Sequence, residues 1–315
     1  MEHYLDFEDK IATLEAQIKD LVESNEKGLD VEKEIASLNE KYYKLLQKTY
    51  ENLTPWQKLQ VARHQDRPHT VDYIDALFTD FILLAGDRLF AEDEAIIAGI
   101  ARFQGRSVMI IGIEKGCDLE SRIKHNFGMP KPEGYRKAQR LMKLADHLNL
   151  PIITFVDTSG AYPGQEAEER GQGEAIARSI SVSLEVSTPI ISIIIGEGGS
   201  GGAIAIALGD TIMMLEHAIY SVISPEGCAS ILWRNIQMAE EAAKQLGITA
   251  DILLQFGIID KIIKEPFGGA HRDKKATFKS VIKEINIALT RLESLKPEDR
   301  KKMKLDKLLK IGKLQ

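Results

Sequence analysis

Apolar residues in the first fifty positions recur at alternating spacings of three and four: Ile11, Leu14, Ile18 and Leu21, then Ile35, Leu38, Tyr42 and Leu45, with charged residues between them. That period lays each set along one face of a helix. Lys27-Gly28-Leu29-Asp30 interrupts it, and Asp30 is placed to accept from the free N–H groups of a second helix's first turn. Residues 1–53 are therefore expected to form a helical hairpin. Each helix is too short to be stable alone, so its apolar stripe must pack on something. A cap on the chain's own body and an arm for a partner are both open.

From residue 54 the pattern turns to α/β. Thr70 to Leu84 has helical periodicity through Val71, Ile74, Leu77, Phe78 and Phe81. The apolar runs Ala95 to Phe103 and Ser107 to Ile113 flank Gln104-Gly105-Arg106, which predicts a β-hairpin turning at the glycine. Gly134 to Leu150 reads as an amphipathic helix. A repeated design follows. The buried strand Pro151 to Val156 leads into the turn Asp157 to Gly164 and a helix from Glu166 to about Val186. A second buried strand, Pro189 to Ile195, leads into Gly196 to Gly202 and a short helix from Ala203 to Leu208. Thr211 to Leu215 and Ala218 to Ser224 are further strand-like runs. Strand, glycine-rich turn and helix in series predict a layered α/β core over 54–275. The lysine-rich stretch 276–315 is expected to be a solvated closing helix.

Composition narrows the function. A net charge of −6 argues against a nucleic-acid-binding surface. Only Cys117 and Cys228 occur, which fits reduced thiols and cannot make a four-cysteine zinc site, so no metal is expected in this chain. The acidic start lacks the layout of a secretory signal, and no apolar run approaches the ~20 residues of a membrane helix. The expectation is a soluble, cytoplasmic protein.

The candidate chemistry lies in the two turns. Gly196 to Gly202 holds five glycines in seven residues between a strand and a helix. Glycine lets another group approach the main chain, and the N–H groups opening the next helix point outward unpaired. An anion, or an oxygen becoming one, is stabilised there. Gly196-x-Gly198-x-x-Gly201 also satisfies a dinucleotide fingerprint, with Glu216 as a ribose-binding acid. The following helix is short for that role. An oxyanion hole and a turn needed only for tight packing are the other readings. Asp157 to Gly164, with Gly160 and Gly164 around Ala161-Tyr162-Pro163, lies where open α/β sheets place ligands.

Five segments together resemble the carboxyltransferase alpha subunit of multi-subunit acetyl-CoA carboxylases. They are Asn126 to Pro130 with Pro132 to Lys137, Gly160 to Gly164 with Glu168 to Gln172, Gly196 to Ala203, Tyr220 to Trp233, and Gly268 to Arg272. Ser159 departs from the proline expected in many relatives. The resemblance implies a crotonase-like (ClpP/crotonase) core of repeated β-β-α units, with an N-terminal hairpin and a C-terminal helix. It implies transfer of carboxyl from carboxybiotin to acetyl-CoA, giving malonyl-CoA. The partners implied are a carboxyltransferase beta subunit carrying the zinc, in an alpha2beta2 assembly, the biotin carboxyl carrier protein, and the ATP-using biotin carboxylase. By the same resemblance Gly201 and Gly202 form one donor pair and Gly160 with Ala161 another. Gly198, Gly199, Ser200 and Tyr162 then line the cofactor.

Side chains take second place in this reading. Glu226 is more readily a solvated or capping acid than a catalyst, and Arg122, Lys124, Lys131, Arg136 and Lys137 read as a solvated basic face. His125, His271 and Cys228 read as structural. A stand-alone crotonase-type hydratase or decarboxylase would need its own acid–base carboxylate. A silent scaffold would have no use for five glycines.

Overall fold

The computed structural model describes residues 3–27 and 30–313. The hairpin forms as α1 (Asp9–Glu26) and α2 (Glu32–Tyr50). Gly28 and Leu29 of the interruption lie outside the described residues. Asp30 is not the cap: Val31 holds that position, and no side chain caps the helix. The stripe is buried at one end, where Ile11, Leu46 and Tyr50 cluster with Val61 of α3 (Pro55–Ala62). Arg272 clamps this end, donating to Glu8 at 2.9 Å and Glu15 at 2.8 Å. The hairpin therefore caps the chain's own body at that end, while Val22 and Tyr43 stay exposed.

The predicted helix over Thr70 to Leu84 is a correction. α4 (Thr70–Leu77) stops at Phe78, and Thr79–Leu83 is an edge strand, β1. Phe78 is extended and buried against Phe103 and Phe155, so the apolar run continues as a strand beside β2 (Ile96–Phe103). The predicted hairpin β2–β3 (Arg106–Ile113) forms, with a turn one residue shorter than expected: Arg106 pairs with Phe103, leaving Gln104 and Gly105, both at positive φ, to make it. α5 (Leu119–Lys124) and α6 (Pro132–His147) follow.

Two buried strands carry the centre, β4 (Ile152–Thr158) and β5 (Ile190–Gly199), with every residue of both buried. Between them the single predicted helix is two, α7 (Gln165–Glu169) and α8 (Gln172–Glu185), because Gly171 takes a left-handed φ of 81°. After α9 (Ser200–Ala207) come β6 (Thr211–Leu215), β7 (Ile219–Ser221), α10 (Pro225–Leu232), α11 (Ala239–Leu246), α12 (Ala250–Gln255) and β8 (Lys261–Ile263). The sheet order is β1-β2-β3-β4-β5-β6-β8, with β7 alongside the end of β5. β3 to β6 and β8 run parallel, so their carboxyl ends share one edge.

The tail also differs from expectation. It is two helices, α13 (Lys274–Glu293) and α14 (Pro297–Lys310). α13 buries Val281, Ile285, Leu289 and Leu292 in the main core. α14 turns two of its basic residues inward: Arg300 donates to Ser187 O at 2.7 Å and Lys304 to Ser183 O at 2.7 Å. These cations meet carbonyls at and just beyond the end of α8, where the helix dipole is negative.

Candidate functional site

β4 and β5 are neighbours in register, Thr158 opposite Gly198, so the two glycine-rich segments emerge side by side. Gly196 to Gly199 is strand rather than turn, and β7 pairs with it from the other side. The bend is a single residue, Ser200, held at a left-handed φ of 51° and exposed. Gly201 and Gly202 are already the second and third residues of α9. Their N–H groups have no acceptor within the helix, and no side chain caps it. The positive end of the helix dipole therefore opens onto the strand edge.

The glycines do different work. A Cβ at Gly199 would lie 2.3 Å from the Ser159 carbonyl, and one at Gly202 would lie 2.5 Å from Gly160 C and 2.6 Å from Ala161 N. At Gly198 it would press on the Tyr220 ring, whereas at Gly201 it would meet only Ile176 at ordinary contact. The two turns thus touch backbone to backbone, and Gly160, Ala161, Gly201 and Gly202 come together. Gly160 differs from its neighbours as a donor, since its N–H is taken by Thr158 Oγ1 at 3.0 Å. The loop is pinned by Tyr162 N–H to Pro130 O at 3.0 Å and by Gln172 Nε2, which donates to both Pro130 O and Tyr162 O. Tyr162 lies under Lys131 Nζ, 4.7 Å from its ring centre.

An ionic chain not anticipated from the sequence underlies these turns. Lys115, just past β3, bridges Asp157 Oδ1 at 2.8 Å and Glu197 Oε2 at 2.7 Å. Asp157 also faces His69 Nδ1 at 3.3 Å and accepts the Glu197 N–H at 2.9 Å. Arg63 continues the chain from Glu197, at 2.8 Å, to Glu226, at 2.5 Å. Burial opposes ionisation of Asp157 and Glu197, but the cations outweigh it and hold both carboxyls below their usual range. Burial likewise opposes the Lys115 charge, and the two carboxylates keep its pKa above the ordinary value. A cavity of about 200 Å³ opens here, lined by Arg63, His69, Lys115, Arg122, Phe127, Ser159 and Glu197. The available signal was charge at the end of three apolar runs: Glu114-Lys115 after Ile113, Asp157 after Val156, and Glu197 after Ile195-Gly196.

The remaining candidates sort cleanly. Glu226 opens α10 and is held ionised by Arg63 against the effect of burial. The basic face divides: Lys124 is exposed beside Glu94, whereas Arg136 turns in to Asp87 at 2.8 Å and Lys137 is fully buried against Glu92 and Asp93. Those two correct the expectation of a solvated patch, and only Arg122 of the five lines the cavity. His125 meets Glu94 O, and His271 stacks on His64 at 3.9 Å. Cys228 packs among Ala229, Ala239 and Ala242. Glu216 is 2.5 Å from Lys264, at the opposite end of β6 from Thr211.

A family model described as acetyl co-enzyme A carboxylase carboxyltransferase-like matches residues 4–312. The "acetyl-coenzyme A carboxylase carboxyl transferase subunit alpha" of Zymomonas mobilis is 58% identical, covering 99% of this chain and 100% of that protein. The protein of the same name from Paramagnetospirillum magneticum is 57% identical over 98% of each chain. Among solved structures, transcarboxylase 12S, with methylmalonyl-coenzyme A bound, superposes with a TM-score of 0.59 at 18% identity, over 73% of this chain and 42% of that one. A Pseudomonas malonate decarboxylase hetero-tetramer in complex with coenzyme A gives 0.54 at 14% identity, over 63% and 80%. These two likenesses speak to the crotonase-like fold alone.

Proposed function

The chain belongs to the acetyl-CoA carboxylase carboxyltransferase family, on its alpha-subunit side, and from that premise we propose that its two touching turns are the donor groups of carboxyl transfer. It is a carboxyltransferase component of a multi-subunit enzyme whose other parts include a further carboxyltransferase chain and the biotin carrier. The finer assignment is our reading: an alpha2beta2 assembly in the cytoplasm, zinc on the beta subunit, acetyl-CoA as acceptor, malonyl-CoA as product, and ATP spent by the separate biotin carboxylase. Among the described residues no helix is long and apolar enough to cross a membrane.

Carboxybiotin supplies the carboxyl group and, once relieved of it, a base. The chain's own contribution is electrostatic. Two oxygens gain charge during transfer, the thioester oxygen of the acyl-CoA and the ureido oxygen of the biotin. The Gly201 and Gly202 N–H groups, at the positive end of α9, form one donor pair. The Ala161 N–H faces them across the Gly202 contact. Gly160, whose own N–H is held by Thr158 Oγ1, contributes through its backbone, which packs against Gly202 and fixes the Ala161 peptide. Gly198, Gly199, Ser200 and Tyr162 shape the walls. Preorganised main-chain donors need no reorganisation as charge develops. No acid–base side chain is required of this subunit, in keeping with the commitment of Glu197 to Lys115 and Arg63 and of Glu226 to Arg63.

The observation that carries this reading is the backbone contact of Gly202 with Gly160 and Ala161, which sets two donor segments face to face. A carboxyl-exchange assay with and without the beta subunit tests it. Exchange is expected only from the mixture. Turnover of an acyl-CoA by this chain alone would instead support a stand-alone hydratase or decarboxylase.

A further inference from the structure

We propose that Lys115 is a positioning residue for the donor groups, acting by holding Asp157 and Glu197 side by side beneath the two turns. The inference rests on the carboxyl-transfer reading above, and it concerns a side chain bonded to Asp157 and Glu197 rather than to the donor residues themselves.

The geometry fixes the ends of two strands. Asp157 and Glu197 stand at the carboxyl ends of β4 and β5, and the Lys115 ammonium lies between them at 2.8 and 2.7 Å. The Asp157 carboxylate also reaches across to β5: it accepts the Glu197 N–H, and it sits where a Cβ at Gly196 would be, 2.5 Å away. Two residues further along, Gly199 packs on the Ser159 peptide, and beyond it Gly202 packs on Gly160 and Ala161. Every contact that aligns the donors therefore lies just downstream of the ionic bridge. Gly128, at a left-handed φ of 73°, leaves the space taken by the Lys115 Cγ, so the stem of that side chain is confined as well.

Without that ammonium, two largely buried carboxylates would face each other across a gap no wider than the two distances combined. Arg63 would still hold Glu197 and Glu226, and His69 would still face Asp157. Arg67, paired with Glu265, and the Tyr73 phenol lie behind Asp157, and Arg122 stands across the cavity. Glu114 is occupied by the Val71 and Gly116 N–H groups. None of these lies between the two carboxylates. Like charges so placed raise the apparent pKa of the pair. Below that pKa the pair shares a proton, and the strand ends stay together. Above it both ionise, repel, and draw Gly160 and Ala161 away from Gly201 and Gly202. A lysine that only packed would give no such dependence.

The test uses the reconstituted two-subunit enzyme, with malonyl-CoA as carboxyl donor and biocytin as acceptor. For Lys115→Met, kcat relative to wild type is expected to fall at least about tenfold between pH 6 and pH 8.5, while KM for malonyl-CoA stays within about twofold. Adding Glu197→Gln removes the like-charge pair and is expected to flatten that pH limb. Near-ultraviolet circular dichroism of Lys115→Met should change over the same pH range, independently of turnover. A pH profile parallel to wild type, a loss confined to KM, or a double variant that keeps the limb overturns the proposal. If Lys115→Met fails to assemble, an assembled and active double variant supports it, and an assembled but inactive one overturns it. Absence of exchange in the wild-type enzyme would instead count against the carboxyl-transfer reading, while the dichroism still reports on the bridge.

Discussion

Gly202 lies directly on Gly160: a Cβ at position 202 would come 2.5 Å from the Gly160 carbonyl carbon. Its neighbour Gly201 has no such constraint, since the nearest atom to a Cβ there is Ile176 Cδ1 at 3.5 Å. The two residues share one role as donors and differ in what their missing side chains do.

That difference separates them experimentally. Gly202→Ala must push α9 away from the Gly160–Ala161 peptide, misaligning one donor segment against the other. Losing one such donor costs a few kcal/mol, so kcat is expected to fall by about 10²-fold. Gly201→Ala keeps both N–H groups and is expected to stay within roughly tenfold of wild type. Equal losses in two assembled, folded variants would show that the close contact is not what aligns the donors.

Glu226 gives the opposite comparison. Its carboxylate is committed to Arg63 at 2.5 Å, and Arg63 keeps Glu197 if that bond weakens. Glu226→Gln retains a hydrogen-bond acceptor and should lower kcat by less than about tenfold. An inactive but assembled Glu226→Gln beside an active Gly202→Ala would make the carboxylate the catalyst.

Arg300 tests whether α14 belongs to the folded body. Its guanidinium donates to Leu292 O at 3.0 Å, Leu295 O at 2.5 Å and Ser187 O at 2.7 Å, tying the turn before α14 to the end of α8. Arg300→Met leaves buried carbonyls without their donor and is expected to cost about 2–3 kcal/mol. Urea unfolding at pH 7 reads this directly, and a change below about 0.5 kcal/mol would mean the tail is only loosely attached.

The sequence made the strands of the centre legible because β4 and β5 are buried on both faces and read as unbroken apolar runs. The glycine-rich segments were legible as sites, but not their division into strand, one-residue bend and helix. Gly196 to Gly199 pairs with β4 and β7, and that pairing is a tertiary fact. Thr79–Leu83 was misread because Phe78 and Phe81 also fit a helical period, and only the neighbour β2 decides the matter. The Lys115 bridge reaches carboxylates 42 and 82 positions further along the chain. No local pattern encodes such a distance. Lys301, Lys302 and Lys310 of α14 do form a solvated face, but composition does not reveal that carbonyl groups await Arg300 and Lys304.

The Arg67–Glu265 pair should anchor the sheet end. Both side chains are buried, joined by two bonds of 2.9 and 2.7 Å, and Arg67 Nε donates to Ile195 O on β5. Glu265→Gln leaves a buried guanidinium short of its counter-charge, a change that typically costs 3–5 kcal/mol, so roughly that loss is expected. The midpoint of urea unfolding at pH 7 checks it. A near-neutral result would mean that solvent or another acid reaches Arg67.

Acid should destabilise the chain before any carboxylate of ordinary pKa is protonated, and His271 is the reason. Burial, followed by the charges of the stacked His64 and nearby Arg67 and Arg272, pushes its pKa from an ordinary 6.5 down to about 2. Neither ring nitrogen has a hydrogen-bond partner among the described residues, so protonation there gains nothing. Between those two pKa values the unfolded chain binds a proton at this ring that the folded chain does not. Stability therefore falls as pH falls below 6.5, and the slope approaches about 1 kcal/mol per pH unit near pH 5.5. His217, whose pKa burial also lowers, adds in the same direction. Glu265, held down to about 2 from 4.5 because Arg67 outweighs the opposing effect of burial, adds a further loss only below pH 4.5. Replacing His271 by Gln removes one titrating ring, so the slope of unfolding free energy between pH 7 and 5.5 should drop by most of that amount. An unchanged slope would mean that His271 is free to take a proton in the folded protein, and that the stack on His64 does not exclude it.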